Sequence, residues 1–231
     1  MGDEHDELVK KAKDRDELGR LAYSLALRHY RAGDYAKAVI SFQHAASAGH
    51  EEARTLFKGA PLSWFYSWWI GVNLDKIIAG AQLGARGGSA PDQCALGLIY
   101  RFGFGTEPDP ALAFSWFEKA AGAGDVEANL QLGSMCLGDS GGEAKNEKRA
   151  LGCFLRAAEQ GNATAQLLAA NLYFIGGDGV PIDRVESFVW RVMYARHSPA
   201  GSNAWKNVES DKLLLKPEQL TAAEKRLQKF G

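Results

Sequence analysis

The chain has 231 residues, of which 27 are basic and 28 acidic, so its formal net charge is −1. Ala (35) and Leu (25) far outnumber Val, Ile and Thr, which total 20, and this composition favours helices over strands. Because the charges balance and no block of five Lys or Arg residues occurs, the composition argues against a nucleic-acid-binding protein.

The first twenty residues carry seven acidic side chains and no apolar run. This pattern argues against a secretory signal and a transit peptide, so we expect a cytoplasmic protein. Asp6 and Lys10 lie four residues apart, as do Glu7 and Lys11, and such pairs stabilise an exposed helix. We interpret residues 1–20 as an N-terminal capping helix.

A repeated pattern follows, with a period of 36 to 39 residues. Four helical segments end in small residues and a glycine, at Gly49, Gly88, Gly124 and Gly161. Between these ends lie apolar segments with a small residue at the same place: Gly97, Gly133 and Ala170. Glycine ends a helix by adopting left-handed dihedral angles, and a small residue lets a second helix approach closely. The pattern therefore predicts stacked helix–turn–helix units with a continuous core.

One unit carries the motif most completely, with Leu96, Gly97, Tyr100, Gly103, Gly105, Asp109, Ala113, Trp116, Lys119, Ala120, Ala121 and Gly124 at regular spacing. These residues resemble the Sel-one-like repeats, a subclass of the tetratricopeptide group. Residues 22–50 resemble the parent tetratricopeptide repeat, with Ala26, Gly33, Tyr35, Ala38, Phe42 and Ala45. The resemblance implies an all-α fold, a right-handed α-α superhelix, that is, a solenoid of antiparallel helix pairs.

Five segments follow from this interpretation: a cap (1–20), a tetratricopeptide-like repeat (21–50), an irregular second repeat with an aromatic insertion (51–91), three Sel-one-like units (92–198) and C-terminal capping helices (199–231). In the last region, Pro217 and Glu218 open an apolar-periodic run that predicts a helix. The last Sel-one-like unit keeps Gly177, Gly179, Val180, Asp183 and Trp190. It departs from the family pattern at Glu186 and Ser187, where Lys and Ala are usual.

An aromatic segment interrupts the second repeat, with Trp64, Phe65, Tyr66, Trp68 and Trp69. No single helical face holds all five side chains, so some need a covering element or form an exposed patch. Core filling is the favoured interpretation, and a partner-binding patch and membrane contact are the alternatives. The apolar run 61–73 is too short for a membrane span, which needs about 20 residues.

The three cysteines, Cys94, Cys136 and Cys153, lie far apart without a CxxC motif, so the sequence predicts neither a disulfide framework nor a zinc knuckle. The middle Sel-one-like unit has Cys136 and Cys153 where its neighbours have Tyr and Trp. The favoured interpretation is a repacked core with two buried thiols. The alternative is a redox-sensitive pair or a disulfide within the repeat.

The resemblance also implies that the first helix of each pair lines a concave surface. The positions one and four residues beyond the small residue would then face a ligand: Leu27, Tyr30, Leu98, Arg101, Ser134, Leu137, Asn171 and Phe174. An apolar groove with one arginine suits an extended or helical peptide. The alternative is an ordinary solvated surface.

The sequence lacks a phosphate-binding GxxxxGK[ST] loop, an HExxH pair and an SxxK motif. The GDSGG stretch at 138–142 matches the letters GxSxG, but it lies in a turn after a helical segment, whereas a nucleophile elbow follows a strand. The GGDGV stretch at 176–180 follows no strand and is interpreted as a repeat turn. His44 and His50 do not share a helical face, so they do not predict a metal site.

We therefore expect a non-enzymatic protein-interaction scaffold or adaptor without a cofactor, which binds a protein or peptide but no nucleic acid. Membrane contact is not favoured. The chain would be a monomer or part of a hetero-complex. The alternative is a structural or assembly-factor subunit of a larger complex.

Overall fold

The computed structural model describes residues 11–57, 71–138, 145–198 and 202–230. These stretches contain no strand, and their single isolated bridge joins Gly177 to Val180. The all-α prediction is therefore confirmed. The helices are α1 (Arg15–Ala32), α2 (Tyr35–Ser47), α3 (Glu51–Thr55), α4 (Leu74–Arg86), α5 (Ala90–Phe102), α6 (Pro110–Gly122), α7 (Val126–Cys136), α8 (Glu147–Glu159), α9 (Ala163–Ile175), α10 (Arg184–Ala195), α11 (Asn203–Lys212) and α12 (Pro217–Leu227), followed by a 3₁₀ turn at Gln228–Phe230.

The described residues form two compact units, one up to residue 128 and one from residue 129 onward. In the first unit α1 packs on α2, and α5 packs on α2, α4 and α6. In the second unit α9 packs on α8 and α10, and α10 also contacts α11 and α12. Neighbours in sequence are therefore neighbours in space, as a solenoid of helix pairs requires.

The helices start and end where short-range chemistry dictates. A polar side chain caps the N-terminus of most helices by accepting a backbone hydrogen bond from the first turn, as Asp109 does from Leu112 (2.9 Å) and Asn162 does from Ala165 (2.8 Å). The four predicted end positions, Gly49, Gly88, Gly124 and Gly161, all have positive φ, between 85° and 103°. This left-handed conformation favours glycine and confirms the predicted helix ends.

Close contact between paired helices depends on the small residues of the first helix. In the first unit, a side chain at Gly97 would overlap the ring of Phe117. In the second unit, a Cβ at Gly133 would lie 2.6 Å from the ring of Phe154. The prediction that a small residue lets the second helix approach closely is confirmed at both positions, where the second helix places an aromatic ring against the glycine.

One backbone hydrogen bond recurs in the three units that resemble Sel-one-like repeats. The residue that caps the second helix donates its N–H to a carbonyl near the end of the first helix: Asp109 to Tyr100 (2.7 Å), Asn146 to Cys136 (2.7 Å) and Asp183 to Tyr173 (2.9 Å). Tyr100, Cys136 and Tyr173 therefore hold equivalent positions, although one of their side chains is a thiol.

The N-terminal part differs from the expected boundaries. Asp14 caps α1 by accepting the N–H of Glu17, so one continuous helix crosses the predicted boundary between residues 20 and 21. In the second repeat, α3 has only five residues and α4 begins at Leu74. The aromatic segment with Trp64, Phe65, Tyr66, Trp68 and Trp69 lies outside the described residues.

The C-terminal helices pack on α10. Their shared core contains Val189, Val192, Val208, Leu215 and Ala223, all buried. The ring of Phe230 lies 5.2 Å from that of Trp190, and Arg226 Nε donates to Glu186 Oε1 at 3.0 Å. Helix α12 begins at Pro217, where the sequence predicts a helix start.

We predict that Gly97→Ala destabilises the protein by about 1–3 kcal/mol, because the new methyl group overlaps the ring of Phe117. Chemical denaturation followed by circular dichroism measures the effect. Gly122→Ala is the matched control, since Gly122 is also helical but has no atom near the added carbon. It should be neutral or stabilise by up to about 1 kcal/mol. Equal losses for both variants would contradict this packing account.

Candidate interaction surface

Four predicted concave positions lie in the first unit. Leu27, Tyr30 and Arg101 are partly buried, whereas Leu98 is fully buried. The prediction for Leu98 is wrong, because α5 is covered by α2, α4 and α6 and its side chain belongs to the core. The position one residue beyond the small residue is therefore not solvent-accessible in every repeat.

Tyr30 has a structural role in the same unit. Its hydroxyl accepts the backbone N–H of Asn73 at 2.9 Å, at the start of α4. Its ring lies 6.3 Å from that of Tyr35, which packs against the backbone of Gly80. Tyr30 therefore joins α1 to α4. Arg101 places its guanidinium group 5.1 Å from the ring of Phe102 on the same helix.

The other four predicted positions, Ser134, Leu137, Asn171 and Phe174, lie in the second unit and are partly buried. Ser134 donates its hydroxyl to the Leu130 carbonyl at 3.0 Å. Asn171 Oδ1 accepts a hydrogen bond from Arg191 at 3.2 Å. The prediction for these positions remains untested, because partial burial does not identify a ligand.

Two arginines of α10 that the sequence analysis missed surround the predicted residue Phe174. The guanidinium carbon of Arg184 lies 3.9 Å from the centre of the Phe174 ring, and that of Arg191 lies 5.1 Å away. Arg184 and Arg191 are seven residues apart and therefore project from one face of the helix. Their spacing is a signal that a search for basic helix faces would have found.

Comparison with known proteins explains the regular spacing. The family model "Sel1 repeat" matches residues 90–125, 126–162 and 163–190. Residues 90–190 are three Sel1 repeats. The resemblance inferred from the sequence is thereby confirmed, and a comparison with curated proteins gives no match.

Solved structures with the same type of repeat are similar to this chain. One is a protective antigen of uropathogenic Escherichia coli strains with an SLR fold (25% identity, TM-score 0.55), and another is a Sel1 repeat protein from Oxalobacter formigenes (24% identity, TM-score 0.54). The alignments cover 91% and 86% of this chain, but only 47% and 60% of those structures. The chain thus spans about half the length of these proteins and shares the Sel1 solenoid fold.

The second Sel1 repeat contains the proposed thiol pair. Cys136 and Cys153 are both buried, and they form no disulfide with each other. Arg156 donates to Cys153 Sγ at 3.2 Å and to Asn129 Oδ1 at 2.8 Å, so a polar contact adjoins this part of the core. This arrangement favours a repacked core, while redox sensitivity of the pair remains a prediction.

A buried polar cluster adjoins the first Sel1 repeat. Burial, reinforced by the carboxylates of Asp125 and Glu127, raises the pKa of the Cys94 thiol well above its usual value. Burial also raises the pKa of Asp125, although the N–H of Ala128 donates to its carboxylate. Glu127 Oε2 lies 3.8 Å from His44 Nε2 of α2. A thiol that resists ionisation is a poor nucleophile, so this cluster does not resemble a catalytic site.

Two other features bear on the alternatives. Within the described ranges, no group of three His, Cys, Asp or Glu side chains is arranged to hold a metal ion. None of the helices in that part of the chain is both long and apolar enough to cross a bilayer.

The first unit also has an open pocket of about 330 Å³ beside α2, α3 and α5. It is lined by Gln43, Ala46, Ser47, Arg54, Phe57 and Phe102.

We predict that Asp125→Asn raises the melting temperature at pH 7 by a few degrees. A raised pKa means that folding favours the protonated acid, so the buried carboxylate costs stability at neutral pH. Asn keeps the N-cap of α7, as Asn162 does for α9. The difference from wild type should shrink as the pH falls towards the unfolded-state pKa of about 3.9 and disappear below about pH 3, where Asp125 is protonated in both states. Calorimetry across this pH range tests it, and a loss of stability at pH 7 would contradict it.

We predict that none of the three thiols reacts rapidly with Ellman's reagent in the native protein, because all three are buried. Unfolding in guanidinium chloride should expose three reactive thiols. Raising the pH to about 9 should not make the Cys94 thiol reactive towards the reagent, because its pKa is raised above the ordinary thiol value of about 8.5 and it stays protonated. Rapid reaction of any thiol in the folded chain would contradict the structure.

Proposed function

We propose that this chain is a non-enzymatic protein-interaction scaffold or adaptor in the cytoplasm. The observation that carries the proposal is the uninterrupted series of three Sel1 repeats over residues 90–190, since such repeats generally mediate protein–protein interactions. Three buried cysteines without a disulfide fit a reducing compartment. The described clusters of titratable residues supply no activated nucleophile that would support an enzyme instead.

The proposed contact surface consists of the predicted concave positions of each unit. Leu27 and Arg101 would contribute in the first unit, and Ser134, Leu137 and Phe174 in the second. Partly buried side chains have already lost conformational freedom, so a partner gains contact area at a lower entropic cost. Leu98 is not part of this surface, and Tyr30 acts mainly by supporting α4.

A second candidate is a fixed structural or assembly-factor subunit of a larger complex. Exposed aliphatic side chains favour it, because Leu83 is 75% exposed and Leu213 87% exposed. Sedimentation of the isolated chain separates the two candidates: an adaptor should be a stable monomer, whereas a subunit without its neighbours should aggregate.

Site-specific photocrosslinking in cells tests the proposed surface. We predict that a benzophenone amino acid at Leu27 or at Leu137 captures the same protein partner. Leu83→benzophenone and Leu112→benzophenone are matched controls, because both leucines are exposed on the second helices of their pairs. These controls should capture little of that partner. Equal capture from all four positions, or capture from the controls alone, would contradict a surface formed by the first helices.

A further inference from the structure

Arg184 is a charged residue without a compensating group. It is partly buried at the start of α10, and its guanidinium carbon lies 3.9 Å from the centre of the Phe174 ring. Its Nη1 atom is buried and finds no hydrogen-bond acceptor in the described part of the chain. A buried donor without an acceptor costs free energy, and the contact with the aromatic ring offsets only part of that cost.

The carboxylates near Arg184 are engaged elsewhere. Asp183 accepts the backbone N–H groups of Val185 and Glu186 and caps α10. Glu186 pairs with Arg226 at 3.0 Å. No described carboxylate therefore neutralises Arg184, although acidic residues adjoin it in sequence.

Arg191, the second arginine at Phe174, is already paired with the carboxylate of Asp211. Its Nη1 lies 2.7 Å from Asp211 Oδ2, although the two atoms are not aligned for a hydrogen bond. Both side chains are well buried, at 13% and 11% exposure. Asp211 thus neutralises Arg191 alone, and the positive charge of Arg184 beside Phe174 remains uncompensated.

Two exposed isoleucines lie near Phe174 and Arg184 in the sequence. Ile175, which follows Phe174, is 71% exposed, and Ile182, two residues before Arg184, is 60% exposed. Ile182 packs against the backbone of Gly176, since its Cγ1 lies 2.7 Å from the place of a Cβ there. Two exposed aliphatic side chains and an uncompensated cation therefore lie within residues 175–184 of the second unit.

We propose that Arg184 binds the carboxylate of an Asp or Glu in a partner peptide, and that Ile175 and Ile182 contact an aliphatic residue beside it. The inference rests on the proposed scaffold function and specifies the chemistry of the partner. Because Nη1 is buried, the carboxylate would bind to Nε and Nη2, which present two parallel N–H donors, and the ring of Phe174 holds the guanidinium plane in place. A monoanion matches the single uncompensated charge, whereas a phosphate dianion would leave an excess negative charge.

Selection of random peptides displayed on phage against the full chain tests the proposal. The expected pool is enriched in Asp or Glu next to Leu, Ile or Val. A selected peptide should lose affinity by at least about tenfold towards Arg184→Gln, because a charge-assisted hydrogen bond is lost. Arg184→Lys should retain part of the affinity, since it keeps the charge but not the two parallel donors.

Controls separate a binding role from a structural one. Arg196→Gln is the matched variant, because Arg196 lies at the opposite end of α10, exposed, with its guanidinium 3.4 Å from Met193 Sδ. It should bind the selected peptide as wild type does. Circular dichroism melting should show that Arg184→Gln is folded. Replacing the peptide's Asp by Asn should abolish the difference between wild type and Arg184→Gln.

The outcomes distinguish this inference from the proposed function. Enrichment of peptides without an acidic residue, or equal affinity for wild type and Arg184→Gln, would overturn the role of Arg184 and leave the scaffold function intact. Tighter binding of a phosphoserine peptide than of its Asp counterpart would overturn the carboxylate assignment. Failure to enrich any peptide would contradict both the carboxylate site and a peptide-binding scaffold.

Discussion

The structure depends on the contact between an aromatic ring and the backbone of a glycine. Phe117 lies against Gly97 in the first unit, and Phe154 lies against Gly133 in the second. Because glycine has no side chain, the contact brings two helix backbones close together. Each ring is fully buried, so the contact also removes a large apolar surface from water. A single helix pair cannot bury its remaining apolar face, and stacking further pairs supplies the missing neighbour.

The third Sel1 repeat shows how this contact is replaced near the end of the series. Arg191 occupies the place of Phe117 and Phe154, and Ala170 stands where those repeats have glycine. Arg191 instead pairs with Asp211 of α11. The departures from the family pattern have partners too: Glu186 pairs with Arg226 of α12, and the Ser187 hydroxyl donates to the Ala170 carbonyl at 3.0 Å. At the position of Arg191 the last repeat has therefore replaced an aromatic contact by a polar one, and two of its polar pairs join α10 to the C-terminal helices in addition to their shared apolar core.

Most of the fold could be predicted from the sequence, because small residues and helix-ending glycines act locally and recur at a fixed spacing. Gly49, Gly88, Gly124 and Gly161 identify the helix ends without any tertiary information. The surface was harder to predict, since exposure depends on which helices cover a position. Leu98 matches its equivalents in sequence but is fully buried, and Arg184 gains its importance only from Phe174 and from carboxylates that pair elsewhere.

The most direct test of the account is a nuclear Overhauser measurement on the isotopically labelled protein. The account predicts strong cross-peaks from the Gly97 Hα protons to the Phe117 ring and from the Gly133 Hα protons to the Phe154 ring, with ring-current shifts on both glycines. Glycine signals at ordinary shifts without these cross-peaks would mean that the helix pairs do not pack through this contact, and the repeat architecture described above would be wrong.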